Sequence, residues 1–340
     1  MASLDLGAWG QEELFGHLLS FAERDDITGG PDTHMSMAAH RASDDDQAAA
    51  LWTLGTYVSV YTVAGGYQIE KAWPLQAVSY GTQEALEDWL RGHWQGIPIR
   101  RERRAVRTPK KLSRMLTDYA EWIKLSASDL LHIDVTPKQR YVMIWESLTA
   151  QVWGLGRYSL LKLCESMIRA DIVKMEMPDI RPIGGDSPRT MLHALFPDAP
   201  ITGNGTDSIR RVNYWVQALR NRARKDFGFE FSMYTAEVYL CEFLQCMKRN
   251  QYPGRALDSE MTHAMAAEAY WGPWPAFWEM RKELFPHWAL GELNGWQGRR
   301  KELGDCLLVS RYMWSDARYD YKAMTDVSEP VAKEVPVGQD

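Results

Sequence analysis

Apolar residues recur along this chain with the spacing of helices. The segment Glu84 to His93 has apolar residues at i, i+1, i+4 and i+5, which is typical of an amphipathic helix. Helices are predicted in the same way over residues 110–124, 139–152, 158–168, 191–196, 208–224 and 234–248. Alternation with a period of two is scarce, and residues 229–233 are a weak candidate for a strand. The pattern therefore predicts a mainly α-helical fold.

One stretch requires a comparison with membrane helices. The 23 residues from Gln47 to Ile69 carry no charge, which is long enough to span a bilayer. They include many Thr, Tyr, Gly, Ser and Gln residues, which are too polar for a helix that faces lipid. We therefore expect a buried helix over Gln47 to Ala64 and no contact with a membrane.

Composition divides the chain into four predicted parts. A length of 340 residues fits about two domains at roughly 150 residues each. An abundance of Asp, Gly, Ser and His predicts a mobile loop over residues 20–46. The region from Trp271 to Trp296 is rich in Trp, and the pattern does not predict how these side chains pack. The parts are an acidic N-terminal segment (1–46), a helical core (47–255), a Trp-rich helical extension (256–322) and a disordered tail (323–340).

Charge is distributed unevenly. The formal net charge of −6 argues at first against a protein that binds nucleic acid. Residues 1–60 carry a net −8 and residues 323–340 a net −3, so the middle of the chain is positive. Eight basic residues lie from Arg100 to Arg114, and six lie from Arg210 to Lys225 with no acidic residue among them. The middle of the chain is thus suited to a polyanion.

The four cysteines show neither a CxxC pair nor the Cys/His spacing of a zinc site. Scattered cysteines of this kind are typical of reduced intracellular thiols. The first 20 residues lack the basic and apolar regions of a signal peptide. We expect a cytoplasmic protein with no metal and no cofactor.

The segment Val152-Trp153-Gly154-Leu155-Gly156-Arg157-Tyr158 separates two predicted helices. Glycine permits the positive φ of a tight turn, and the N-terminus of the second helix can hold a phosphate. A short turn without any ligand explains the same residues, so the motif leaves both interpretations open.

The motif resembles the helix-hairpin-helix element of DNA glycosylases, and two further landmarks match that superfamily. Upstream, Gly96-Ile97-Pro98 precedes the basic segment and a helix that Thr108 caps and Pro109 begins. Downstream, Asp186 opens an amphipathic helix after an irregular loop. The resemblance covers about residues 50–250 and implies a glycosylase-like helical fold with extra N- and C-terminal helical elements. Tyr158 stands where lyase-type glycosylases carry a nucleophilic Lys.

A narrower resemblance is to the α-glutamyl/putrescinyl thymine pyrophosphorylases, phage enzymes of DNA hypermodification. It is carried by Glu237 to Phe243, by Tyr252-Pro253-Gly254, by the Gly-x-Gly-Arg hairpin and by Ser187-x-Arg189. The resemblance implies that an amino acid or amine displaces pyrophosphate from the 5-methylene carbon of pyrophosphorylated 5-hydroxymethyluracil in DNA. The implied partners are double-stranded or locally opened DNA with a modified thymine and an amine donor that the sequence does not identify. The implied location is the cytoplasm of an infected bacterium.

Candidate site residues follow from these resemblances. Asp186 would accept a proton from the amine, and Arg189 would reach the same pocket. Asp186 also fits a plain helix N-cap without a catalytic role. Asp179 is the second choice for the acid. Contact with DNA is expected from Trp153, Gly154, Leu155, Gly156, Arg157 and Tyr158. Contact with pyrophosphate or DNA phosphate is expected from Arg100, Arg101, Arg103, Arg104, Arg107, Lys110 and Lys111.

Those basic residues also fit a solvated face or nonspecific backbone binding. A monofunctional DNA glycosylase and a non-enzymatic DNA-binding protein are the competing hypotheses for the chain as a whole.

Overall fold

The computed structural model describes residues 10–28, 46–100, 106–179, 186–199, 201, 206–228, 230, 232–247 and 255–284. Regular structure within these ranges is helical, and no strand occurs in them, so the prediction of a mainly α-helical fold is confirmed. The prediction of a weak strand over residues 229–233 is wrong for Met233, which begins a helix.

The helices, in chain order, are α1 (Gln11–Thr28), α2 (Gln47–Val60), α3 (Val63–Ala72), α4 (Gln83–His93), α5 (Pro109–Trp122), α6 (Ser128–His132), α7 (Pro137–Gln151), α8 (Arg157–Arg169), α9 (Asp186–Leu195), α10 (Thr206–Phe227), α11 (Met233–Met247), α12 (Arg255–Trp271) and α13 (Pro275–Leu284). A π-helical turn, Ile123–Ala127, joins α5 to α6. Short 3₁₀ turns lie at Leu75–Ala77, Tyr80–Thr82 and Trp94–Gly96.

The chain divides into two compact units. Unit 1 comprises residues 1–29, 179–258 and 285–340, and unit 2 comprises residues 30–178 and 259–284. The helices that follow Asp179 group with α1 in unit 1. The predicted tail, 323–340, lies outside the described residues.

Unit 2 is built around α2. Every residue of α2 from Ala50 to Val60 is buried, as the absence of charge predicts, and α3, α5 and α8 pack against it. Gly55 allows close packing here, because a side chain at this position would overlap the ring of Tyr119. The Tyr119 hydroxyl donates a hydrogen bond to the Leu51 carbonyl over 2.8 Å.

Three predicted boundaries change for local reasons. The helix expected over 47–64 ends at Val60, because Tyr61 is left-handed with φ 58° and the Thr62 side chain caps α3. The helix expected over 110–124 begins at Pro109 under a Thr108 cap, as predicted, but ends at Trp122. The loop expected over 20–46 is wrong for residues 20–28, which belong to α1.

In unit 1, α9 packs against α11. Helix α1 contacts both of them, and so does α10. The rings of Phe21 and Phe243 lie 5.6 Å apart and link α1 to α11. Helix α9 begins at Asp186, five residues before the predicted start at Met191. Asp186 therefore opens a helix, as the sequence predicts.

Candidate nucleic-acid interface

Helices α7 and α8 of unit 2 form a hairpin through the turn from Val152 to Gly156. Gly154 adopts φ +84°, a conformation that residues with a Cβ rarely adopt. The Gly156 N–H donates to the Gly154 carbonyl over 3.0 Å, and Leu155 is buried. The turn is therefore fixed by one glycine conformation and one apolar anchor.

Gly156 differs from Gly154 because the fold does not require a glycine there. Its φ of −70° is ordinary, and a Cβ at this position would meet no atom within 4 Å. It is the N-cap of α8 but supplies no side-chain cap. Gly156, Arg157 and Tyr158 are all exposed. The positive end of the α8 dipole consequently faces open space, an arrangement that favours an anion.

Tyr158 joins this helix start to two other parts of unit 2. Its hydroxyl lies 2.8 Å from the Tyr61 hydroxyl, and the two rings meet edge to face at 5.7 Å. The Arg100 guanidinium lies over the Tyr61 ring, 5.0 Å from its centroid. We call Tyr61, Arg100, Gly156, Arg157 and Tyr158 the hairpin site.

The backbone of Tyr61 is in the left-handed region, which costs conformational energy. A left-handed backbone is uncommon for a bulky residue and is retained where the surroundings enforce it. Here the ring stacks on Tyr57 at 5.7 Å, and the preceding carbonyl, that of Val60, accepts the Arg100 N–H over 3.1 Å. Tyr61 therefore contacts both Arg100 and Tyr158.

Trp153 is held on the other side of the turn by α5. Its backbone N–H donates to the Asp118 carboxylate over 3.1 Å, and the Arg114 guanidinium lies 4.9 Å from its ring centroid. Arg114 also approaches Asp118 at 3.9 Å. Burial first, and then the negative charge of Asp118, raise the pKa of Tyr80. Trp153 is half-buried, so these contacts give it a role in packing the hairpin.

Besides Arg100, the described residues of the basic cluster lie at the start of α5. Arg107, Lys110 and Lys111 are exposed there, whereas Arg101, Arg103 and Arg104 lie outside the described residues. Cations in the first turn oppose the helix dipole, at a cost of about 0.3–1 kcal/mol each. Val106, the residue before Arg107, would be the nearest neighbour of a Cβ added at Gly154, at 3.7 Å. The basic start of α5 and the hairpin turn are thus adjacent.

A buried ionic cluster underlies the hairpin site in α8. The Lys162 ammonium lies 2.8 Å from Glu165, whose other oxygen lies 3.4 Å from Arg169. The Lys162 Nζ is also 6.0 Å from the centroid of the Tyr158 ring. Lys162 and Arg169 thus share the Glu165 carboxylate within α8.

Asp186, Arg189 and Asp179 belong to unit 1, whereas the hairpin site and the start of α5 belong to unit 2. Arg189 and Asp179 are half-buried. The Gln245 side chain donates to the Ser187 hydroxyl over 3.2 Å, so α9 and α11 are linked directly. These helices contain two of the segments that carry the narrower resemblance.

Sequence reasoning misses Tyr61, Lys162, Glu165 and Asp118. Tyr61 lies within the uncharged run from Gln47 to Ile69, and the signal for its position is the Thr62-x-x-Gly65 cap that follows. Lys162, Glu165 and Arg169 are spaced i, i+3 and i+7, which normally marks an exposed charged face.

Comparison with protein-family models, curated proteins and solved structures finds no match for this chain. Among the described residues, no helix has the length and apolarity that crossing a bilayer requires. Within those same ranges, His, Cys, Asp and Glu side chains form no group of three that could hold a metal ion.

Proposed function

We propose that this protein binds DNA through the hairpin site and modifies a thymine base in the bound strand. The observation that carries the proposal is Gly156, a glycine that the fold does not need, at the exposed and uncapped start of α8. Absence of a side chain there lets a phosphodiester approach the helix start closely.

Charge around Gly156 favours the same ligand. Arg157 is exposed beside it, and Arg100 is held nearby through Tyr61 and Tyr158. Arg107, Lys110 and Lys111 extend the positive surface along the start of α5. Their unfavourable placement at a helix N-terminus is explained if they serve a polyanion rather than the stability of α5.

Tyr158 suits contact with a sugar or an unstacked base. It is 46 % exposed, and its hydroxyl bond to Tyr61 limits the rotation of the ring. An aromatic ring with one accessible face stacks on a base of any sequence. An enzyme that reacts at the 5-methylene carbon of a base in a duplex must first bring that base out of the stack.

The proposed reaction is the amine transfer that the narrower resemblance implies. The amine nitrogen forms a bond to the 5-methylene carbon, the bond from that carbon to oxygen breaks, and pyrophosphate leaves with the electron pair. The proton that the amine loses goes to Asp186, and Arg189 offsets charge on the departing oxygens. Support comes from the helix start at Asp186 and from the bond between Ser187 and Gln245.

The experiment incubates the full chain with DNA that contains pyrophosphorylated hydroxymethyluracil, together with amino acids or putrescine, and measures the nucleosides by mass. We expect an adduct with one donor and its loss in Asp186→Asn, while Asp198→Asn, an exposed control in unit 1, retains it. Abasic sites in place of an adduct would favour the glycosylase hypothesis. DNA binding without any product would favour the non-enzymatic hypothesis.

A further inference from the structure

Helix α10 has two different faces. One face is buried in unit 1 through Val212, Val216, Leu219 and Ala223. The opposite face exposes a stripe with the spacing of successive helical turns, formed by Arg210, Tyr214, Gln217, Asn221 and Arg224. We call these five residues the α10 face.

Not every cation of α10 belongs to this face. Arg222 pairs with Glu12 and Asp226, and its guanidinium lies 4.2 Å from the centroid of the Phe15 ring. These contacts fasten α1 to α10, so Arg222 has a structural role. No acidic residue occurs from Ser208 to Lys225.

Arg224 lies near one carboxylate, that of Glu230, at 3.8 Å. Both side chains are mostly exposed, at 65 % and 72 %. Exposed pairs of this kind contribute about 0–1 kcal/mol and are screened by salt. Arg224 can therefore exchange Glu230 for a phosphate at little cost.

Tyr214 is the aromatic residue of the α10 face. It is 67 % exposed. Its ring meets Trp215 edge to face at 5.3 Å, and the Trp215 ring in turn lies 4.8 Å from the ring of Phe196, the residue that follows α9. The ring is thus supported from behind while most of its surface faces solvent.

We propose that the α10 face binds single-stranded DNA, with phosphates on Arg210 and Arg224 and a base stacked on Tyr214. The two arginines are separated along the helix by about 21 Å, at about 1.5 Å per residue. That length spans several consecutive phosphates of one strand. Side-chain amides complete the surface, since Gln217 Nε2 donates to Asn221 over 2.9 Å and Arg220 donates to Gln217 over 2.9 Å.

Single-stranded DNA is favoured over a duplex because Tyr214 needs an unstacked base, whereas arginines alone would suit both forms. The inference rests on the proposed function only in taking DNA as the ligand. It adds a second contact surface, in unit 1, to the hairpin site of unit 2.

The test measures the affinity of the full chain for a fluorescent single-stranded oligonucleotide by anisotropy over a series of salt concentrations. Tyr214→Ala is expected to weaken binding about tenfold, and Tyr214→Phe, which keeps the ring, is expected to bind as the wild type does. Arg210→Glu/Arg224→Glu is expected to lower the slope of log affinity against log salt by about 1.4, the value for two phosphates on a single strand.

A matched control makes the same charge change on exposed helices of unit 2, Arg91→Glu/Lys138→Glu. Loss of affinity in this control equal to that of the α10 variants would overturn the inference, because only net charge would then matter. Wild-type affinity in Tyr214→Ala, or tighter binding to a duplex of the same sequence, would also overturn it.

The outcomes separate the two proposals. If hairpin-site variants lose DNA binding while α10 variants keep it, the α10 inference fails and the proposed function stands. If α10 variants lose DNA binding while hairpin-site variants keep it, the α10 inference stands and DNA binding at the hairpin site is wrong. Circular dichroism and thermal unfolding of each variant check that it is folded.

Discussion

The hydroxyl groups of Tyr61 and Tyr158 lie 2.8 Å apart, although the two residues are separated by 97 positions in the sequence. This bond links the left-handed end of α2 to the first turn of α8. It also ties Arg100, which lies over Tyr61, to the place where the hairpin meets solvent. The arrangement of the hairpin site therefore depends on the core of unit 2.

Replacement of Tyr158 separates its two roles. Tyr158→Ala is expected to weaken DNA binding about tenfold, because stacking on an aromatic ring contributes about 1–3 kcal/mol per base. Tyr158→Phe keeps the ring and loses the hydroxyl that bonds to Tyr61, so its affinity should stay within about threefold of the wild type. Anisotropy with a labelled oligonucleotide measures both. Equal affinity of the alanine variant and the wild type would exclude a stacking role.

Asp118 anchors the turn, and its removal should loosen the hairpin. The carboxylate is 12 % exposed and accepts the Trp153 N–H. Asp118→Ala is expected to lower the free energy of unfolding by about 1–3 kcal/mol, because it leaves a donor without its charged acceptor. Asp118→Asn keeps an acceptor oxygen and should lose less.

Urea denaturation measures the effect of the Asp118 variants, with Asp134→Ala as an exposed control. If Asp118→Ala and Asp134→Ala were equally stable, the anchoring role would be wrong.

The hairpin could be predicted from the sequence because its signal is local. Two glycines between periodic segments require a turn, and Gly154 does adopt a positive φ. The pairing of Tyr61 with Tyr158 has no such signal, because it depends on how α2 and α8 pack. The buried Lys162 and Glu165 escape prediction for a related reason, since their helical spacing is the same on an exposed face.

Composition gives the wrong prediction at the end of α1. Residues 20–28 are rich in acidic residues, which favours a loop. Phe21 and Ala22 are nevertheless buried in unit 1, and the helix extends to Thr28. Tertiary burial outweighs composition in such a segment.

Two glycines of unit 2 should respond to alanine in opposite directions. Gly55→Ala places a methyl group in the ring of Tyr119 and is expected to destabilise the protein by about 1–3 kcal/mol or more. Gly92→Ala, in an exposed part of α4 with no atom within 4 Å of the added Cβ, should stabilise it by about 0.5–1 kcal/mol. Thermal unfolding measures both. A Gly55 variant as stable as the wild type would contradict the close packing of α2.

Glu70 should make stability depend on pH. Burial raises the pKa of this carboxyl, and the Thr53 hydroxyl, which donates to it over 2.7 Å, offsets the effect only in part. A carboxyl whose pKa is higher in the folded state destabilises the fold as pH rises above its unfolded value, which is 4.5. Glu70→Gln should therefore be more stable than the wild type at about pH 7 and equal to it below about pH 4.

Urea denaturation at the two pH values checks this, with the exposed Glu84→Gln as control. Lower stability of Glu70→Gln at neutral pH would contradict the direction of the pKa change.

Gly156→Ser provides the most direct test of DNA binding at the hairpin. Serine fits the backbone conformation and supplies the side-chain cap that α8 lacks, so the free energy of unfolding should rise by roughly a few tenths of a kcal/mol. The same side chain fills the open space at the helix start and should weaken DNA binding about tenfold or more. The measurement is the affinity of this variant for DNA beside its unfolding free energy. A more stable protein with weaker DNA binding is the expected result, and unchanged affinity would contradict the central claim that the start of α8 holds the DNA backbone.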